Sequence, residues 1–166
     1  MKKTVIDLNC DMGESFGNYK LGNDEAIMQF ISSSNITCGF HAGDPHVIRK
    51  TVSIAKEYGI AVGAHPGLPD LIGFGRRDLR VSPQELKDYF IYQIGALKGF
   101  VEAIGLKLQH VKPHGVLLNM ALEDEKLGLA MVEATKEIGR ELIFVTNSGL
   151  PLVNIAQSFG VKVAKE

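Results

Sequence analysis

Asp7, Asn9 and Asp11 occupy alternate positions in Val5-Ile-Asp-Leu-Asn-Cys-Asp-Met-Gly-Glu14, a segment that Glu14 closes. Alternate residues of an extended chain face one side, so two carboxylates and an amide share a row. Carboxylates gathered in this way need a cation, a substrate or one another to offset the cost of leaving water. Three further segments carry imidazoles. Asn35-Ile-Thr-Cys-Gly-Phe-His-Ala-Gly-Asp44 brings His41, Ala61-Val-Gly-Ala-His-Pro-Gly67 brings His65, and Gln109-His-Val-Lys-Pro-His-Gly115 brings His110, Lys112 and His114. Carboxylates, imidazoles and an amine are the groups that move protons, stabilise oxyanions and ligate metals. Each segment runs from a β-like apolar stretch into its polar residues and is followed by a helical pattern. In a parallel α/β protein the carboxyl ends of all strands lie at one face, where active sites form. The expected outcome is one pocket, of the kind an enzyme uses.

Other candidates have plainer readings. Asp44 suits the N-cap of a following helix, and His46 then falls in that helix's first, solvated turn. His110 lies lower on its strand than His114 and fits a satisfied core residue. Arg76 and Arg77, in Gly73-Phe-Gly-Arg-Arg77, could clamp a carboxylate or phosphate of a cofactor. Asn147 and Ser148 fit a helix start, and Cys10 and Cys38 fit reduced structural thiols rather than nucleophiles. Gly-x-x-x-x-Gly-Lys-[Ser/Thr], Gly-x-Gly-x-x-Gly after the first strand and His-Glu-x-x-His are absent.

The elements that must position these groups are legible in outline. Strands are expected at 4–9, 35–40, 60–64, 108–112, 142–146 and 161–164, short and rich in Val, Ile and Leu as in sheets covered on both faces. Asp44-Pro45 opens a helix that Gly59 closes, and the capping box Ser82-Pro-Gln-Glu85 opens a long one ending at Gly105. Further helices are expected at about 24–31, from about Asp124 to Ile138 with a stop at Gly139, and from about Leu150 to Phe159 with a stop at Gly160. This alternation predicts a (β/α) barrel-like α/β domain with parallel strands spanning 1–166. A closed eight-stranded barrel takes about 250 residues, so about six strands make an incomplete one. An uncovered parallel strand is an association surface, which admits a homo-oligomer. The loops 11–22 and 66–80 are long enough to suggest function.

Composition narrows the class. With 45% hydrophobic and 22% charged residues and a net charge of −1, the chain reads as an ordinary globular protein with no electrostatic call on nucleic acid or an anionic membrane. No apolar run approaches the roughly 20 residues of a membrane span, and no signal-peptide core follows Met1. A cytoplasmic location is the expectation.

Asp7-Leu-Asn-Cys-Asp-Met-Gly-Glu-Ser-Phe-Gly17, Asn35-Ile-Thr-Cys-Gly-Phe-His-Ala-Gly-Asp-Pro45, Gly63-Ala-His-Pro-Gly-Leu-Pro-Asp70, Gly73-Phe-Gly-Arg-Arg77, Tyr92-Gln-Ile-Gly-Ala-Leu97 and His110-Val-Lys-Pro-His-Gly115, in that order, closely resemble the LamB/YcsF family. The resemblance covers essentially the whole chain, although members of the family continue past the sixth strand. It implies a fold similar to the glycoside hydrolase/deacetylase barrel group. It also implies one component of a 5-oxoprolinase, acting with subunits B and C to open the lactam of 5-oxoproline to L-glutamate at the expense of ATP. Such chemistry asks for a base, cationic groups for phosphate and oxyanion, and a divalent metal such as Mg²⁺ or Zn²⁺. Asp7, Asn9, Asp11, Glu14, His41, His65, Lys112 and His114 are the expected catalytic set, with Arg76 and Arg77 toward the cofactor. Two alternatives stand beside this reading. One is a metal-dependent amidase or deacetylase, with Asp11, His41 and His65 as ligands. The other is a non-catalytic, substrate-binding subunit.

Overall fold

The computed structural model describes residues 5–166. Its sheet has six parallel strands in the order β1-β2-β3-β4-β5-β6: β1 Asn9–Met12, β2 Ser33–Thr37, β3 Ala61–His65, β4 Leu108–Val111, β5 Ile143–Thr146 and β6 Lys162–Lys165. Each successive strand pairs with the one before it, and β1 and β6 are not joined, so the expected incomplete barrel is what forms. The helices are α1 Asp24–Met28, α2 Pro45–Tyr58, α3 Pro83–Ala103, α4 Leu117–Glu123, α5 Glu125–Ile138 and α6 Pro151–Ser158.

Helix ends follow local chemistry closely. Asp44 accepts from the amides of His46 and Val47, Pro45 takes the first helical position, and Gly59 ends α2 in the left-handed region at φ 69°. Ser82 and Glu85 bond reciprocally at the start of α3. Asp124 caps α5, and Gly139 follows its last turn. The cap of α6 is Leu150, with no side-chain bond, rather than Asn147 or Ser148; the Ser148 amide donates instead to the Glu166 carbonyl.

Strand limits depart further from expectation. Val5, Ile6 and Leu8 are exposed, at 85%, 79% and 59%, and β1 begins only where Asn9 pairs with Ser33. (Residue 4 of the expected strand lies outside the described residues.) Pairing decides here: the Leu8 carbonyl is shared by the Ser32 and Ser33 amides, and the ladder runs on from there. β2 starts earlier than expected, at Ser33, because its inward row of Ser33, Asn35 and Thr37 is polar yet fully buried. α4 has no capping side chain and no local signal in the sequence.

The two faces of the sheet differ sharply. Met12, Ile36, Ala64, Val111 and Phe144 are buried in one apolar cluster with Ile48 and Val52 of α2, Phe90, Ile94 and Leu97 of α3, and Met131 of α5. Residues of opposite parity form polar rows on the other side. Register sets Asp11, Asn35, Gly63 and His110 side by side, with His65 paired to Thr37 one layer higher.

Candidate active site

The site is built on that polar row. Asn35 is its organiser: its Nδ2 donates to Asp11 Oδ1 at 2.7 Å and to Asn9 Oδ1 at 2.5 Å, and its Oδ1 accepts from His110 Nε2 at 2.7 Å. His110 reaches across β3 only because residue 63 is glycine; a Cβ there would coincide with the imidazole ring. The β3–β4 register also shifts at Val62/Gly63, as glycine in a strand often marks. Burial pushes the His110 pKa down to about 4, so it is a neutral, satisfied interior group beneath the site.

Above this layer three histidines meet. His41 follows β2, His65 ends β3 and His114 follows β4, all nearly buried. The rings of His41 and His114 stack with centroids 3.7 Å apart and planes 3° from parallel. One nitrogen from each ring lies within 4.8 Å of the others, so the trio could hold a metal ion. Gly67 and Gly75 make the space: a Cβ on Gly67 would strike the His41 ring, and one on Gly75 would crowd both His41 and His114.

Hydrogen bonds orient two of the rings. His65 Nδ1 lies 2.7 Å from the Lys112 carbonyl and His114 Nε2 lies 2.7 Å from the Phe74 carbonyl. Carbonyls only accept, so both of those nitrogens carry protons. In neutral rings this leaves His65 Nε2 and His114 Nδ1 as bare acceptors, and they face each other at 3.0 Å. Asp11 Oδ2 is a third acceptor, 3.4 Å from His65 Nε2. Neither ring nitrogen of His41 has a partner. Burial, then the nearby His114 and His65, press its pKa down to about 2, so His41 is neutral.

Phe74 is the one non-glycine residue with positive φ (56°) among those described, a conformation that costs about 1 kcal/mol or more. That turn presents its carbonyl to His114 and its ring edge-on to both His41 and His114. The turn is held by Asp70, nearly buried, which accepts from the Gly73 amide at 2.8 Å and from the Arg77 guanidinium through both oxygens.

A pocket of about 370 Å³ opens on the cluster, lined in part by Asp11, His65, Arg76, Lys112, His114 and Asn119. Burial opposes ionisation of Asp11, but positive charge at the His65 Nε2 position, the Asn35 amide donor and Lys112 outweigh it and hold its pKa below the usual carboxylate range. Lys112 Nζ lies 2.8 Å from Glu166 Oε2 and 3.9 Å from Asp11 Oδ1. Glu14 is half-buried, and its pKa is raised by desolvation and by the Asp11 charge.

The structure therefore brings together Asp11, His41, His65, Lys112, His114 and Arg76. Asn9 lies one layer below, donating to Ser33 Oγ and Asn35 Oδ1. Asp7 is placed outside the pocket, bonded to the hydroxyls of Ser32 and Ser33 before β1 begins. Arg77 is engaged by Asp70 and does not line the pocket. His46 is exposed on α2; Cys10 and Cys38 are unpaired, and burial pushes the Cys38 thiol up to about 12. Asn35, Phe74 and Asn119 do not stand out in the sequence. Asn35 had a usable signal, an amide in the same alternating row as Thr37. A larger hollow of about 950 Å³ beside Asp44, Arg49 and Phe100 lacks such convergence: Asp44 already accepts three backbone amides.

Parallel strands wound with helices, with a polar site at their carboxyl ends, define an open (β/α)-barrel protein. Comparison with known proteins is more specific. The chain belongs to the LamB/YcsF family, whose model matches residues 6–166. A Clostridium beijerinckii protein named as a 5-oxoprolinase component, the first of its lettered subunits, is 58% identical over 161 residues, covering 97% of this chain and 63% of that protein. One of the same name from Bacillus subtilis is 54% identical with the same coverage, 97% and 63%. The crystal structure of a lactam utilization protein from Thermus thermophilus superposes with a TM-score of 0.95 at 44% identity, covering 98% of this chain and 66% of that one. The chain thus spans 63% of the length of these curated relatives. Among the described residues, no helix is long and apolar enough to cross a membrane.

Proposed function

We propose that this chain contributes the lactam-handling site of an ATP-dependent 5-oxoprolinase that opens 5-oxoproline to L-glutamate in concert with subunits B and C. The observation that carries the reading is the pocket in which Asp11, His65, His114, Lys112 and Arg76 converge; the relatives' shared name supplies the substrate. The pocket's volume suits a small molecule. A five-membered lactam is a stabilised amide, so activation of its oxygen by phosphoryl transfer from ATP makes the carbonyl carbon open to water. Asp11, kept ionised by its neighbours, is placed to take a proton from that water. Lys112 and Arg76 supply positive charge for the substrate carboxylate or the transferred phosphate. The proton that Asp11 takes from the water is the one the leaving ring nitrogen accepts, and His65 and His114 line the same pocket. ATP belongs to the assembled enzyme on this reading, and residues 1–166 form a single (β/α) barrel-like domain.

A second reading is favoured by the histidine trio: a metal-dependent amide hydrolase that needs no ATP. Reconstitution separates the two. The full-length protein carrying these residues, combined with subunits B and C, is expected to form glutamate from 5-oxoproline only with ATP. Asp11→Asn is expected to lower kcat about 10²- to 10⁴-fold. Turnover without ATP would shift the assignment to the hydrolase. Unchanged kcat with only a raised KM would make the site a binding site and not a catalytic one.

A further inference from the structure

The hydrogen-bond arrangement at the histidine trio is incomplete as it stands. In their neutral forms His65 and His114 each give their one ring proton to a backbone carbonyl, and their remaining lone pairs then lie 3.0 Å apart with Asp11 Oδ2 alongside. Three acceptors that face one another repel unless something positive lies among them. A proton shared by His65 and His114 would relieve that pair and the neighbouring Asp11 carboxylate. It would leave His41 buried with both nitrogens unpartnered, a deficit worth more than one hydrogen bond in a dry interior. A cation at the centre serves all three rings.

We propose that His41, His65 and His114 bind one divalent metal ion of the imidazole-preferring class, Zn²⁺, Co²⁺ or Ni²⁺, with Asp11 at the rim and one position left for a small oxygen ligand. The features around the rings are those of a prepared site. Backbone carbonyls hold the second nitrogens of two ligands, which fixes their tautomers. Gly67 and Gly75 clear the space the rings occupy, and the strained Phe74 turn aims one of the orienting carbonyls. Three neutral imidazoles disfavour Mg²⁺, which demands oxygen ligands. Bonds near 2.05 Å place tetrahedral ligand atoms about 3.3 Å apart. The His65–His114 pair, at 3.0 Å, is already there. The widest separation in the trio, 4.8 Å, must close by about 1.5 Å. His41 supplies that movement by turning off its stack on His114, since parallel stacked rings cannot point both lone pairs at one centre.

The proposal concerns the same pocket as the 5-oxoprolinase reading, and its test reads metal rather than turnover, so either can fail while the other stands. The 166-residue chain, stripped with a chelator, is titrated with Co²⁺ and then with Zn²⁺. The expected result is one Co²⁺ per chain, with the intense visible absorption of a four-coordinate site, bleached by one equivalent of Zn²⁺ and untouched by excess Mg²⁺. His41→Ala, His65→Ala and His114→Ala, each checked for folding by circular dichroism, are expected to weaken binding at least about 100-fold. His46→Ala, on the exposed turn of α2, is expected to leave it unchanged. The wild-type spectrum does not depend on any variant folding. No stoichiometric binding, a weak six-coordinate spectrum, or a full signal retained in His65→Ala and His114→Ala would each overturn the proposal.

Discussion

Gly63 offers the sharpest test of how the site is built, because its role is purely spatial. A methyl group added there would coincide with the His110 ring, so Gly63→Ala forces the imidazole away from Asn35. Two costs follow. Crowding a packed interior costs about 1–3 kcal/mol, and losing the 2.7 Å bond to Asn35 adds about 1 kcal/mol. The sum, about 2–4 kcal/mol, is a large fraction of a typical folding free energy of roughly 5–15 kcal/mol. Removing the obstacle should reverse the sign. In a His110→Ala background the added methyl enters emptied space and replaces a strand glycine, so Gly63→Ala becomes neutral or stabilising by about 0.5 kcal/mol. Urea denaturation of the wild type, both single variants and the double variant gives the coupling energy directly. A coupling of about 2 kcal/mol or more is expected. Equal destabilisation by Gly63→Ala in both backgrounds would refute the reasoning, since the penalty would then arise from the backbone of β3 and not from the ring.

Stability should also depend on pH through His110. Its pKa falls from 6.5 to about 4 in the fold, so the unfolded chain binds the proton more readily. The contribution is complete above pH 6.5 and is lost as pH falls toward about 4. It amounts to roughly 3 kcal/mol, and the stability gap between wild type and His110→Gln should narrow across that window in denaturant titrations. Asp44→Ala removes the α2 cap, which also accepts from the Gly17 amide, and is expected to cost about 1–2 kcal/mol by the same assay. Arg77→Ala strands the Asp70 carboxylate and loosens the turn that aims the Phe74 carbonyl. A lower Tm is expected, with only partial rescue by Arg77→Lys, because an ammonium cannot reproduce the two-pronged guanidinium contact.

How much of this was open to a reader of the sequence follows from the range over which each feature is decided. The ends of α2 and α3 are settled within four residues by side chains bonding to nearby amides, so Asp44-Pro45, Gly59 and Ser82-Glu85 could be read directly. β1 could not, because hydrophobicity marked Val5 to Leu8, whereas partner amides from Ser32 and Ser33 decide where the ladder begins. The same limit explains Arg77 and Asp7. Each was a plausible ligand group by type, and each is claimed by a partner that only the folded chain brings near, Asp70 in one case and two serine hydroxyls in the other.

The convergence of His41, His65 and His114 was legible for a different reason. Parallel winding puts every strand's carboxyl end at one face, so a polar residue at that end needs no further information to be placed. What winding cannot convey is orientation. Asn35 escapes notice because an asparagine inside a strand looks like an interruption, yet it is the amide that ties Asp11 and His110 into one layer. Nor could spacing show that His65 Nε2 and His114 Nδ1 come within 3.0 Å of each other, which depends on two carbonyls and a strained phenylalanine turn from other parts of the chain. Chemical type and strand position locate such a site; its protons are assigned only by the partners that the fold supplies.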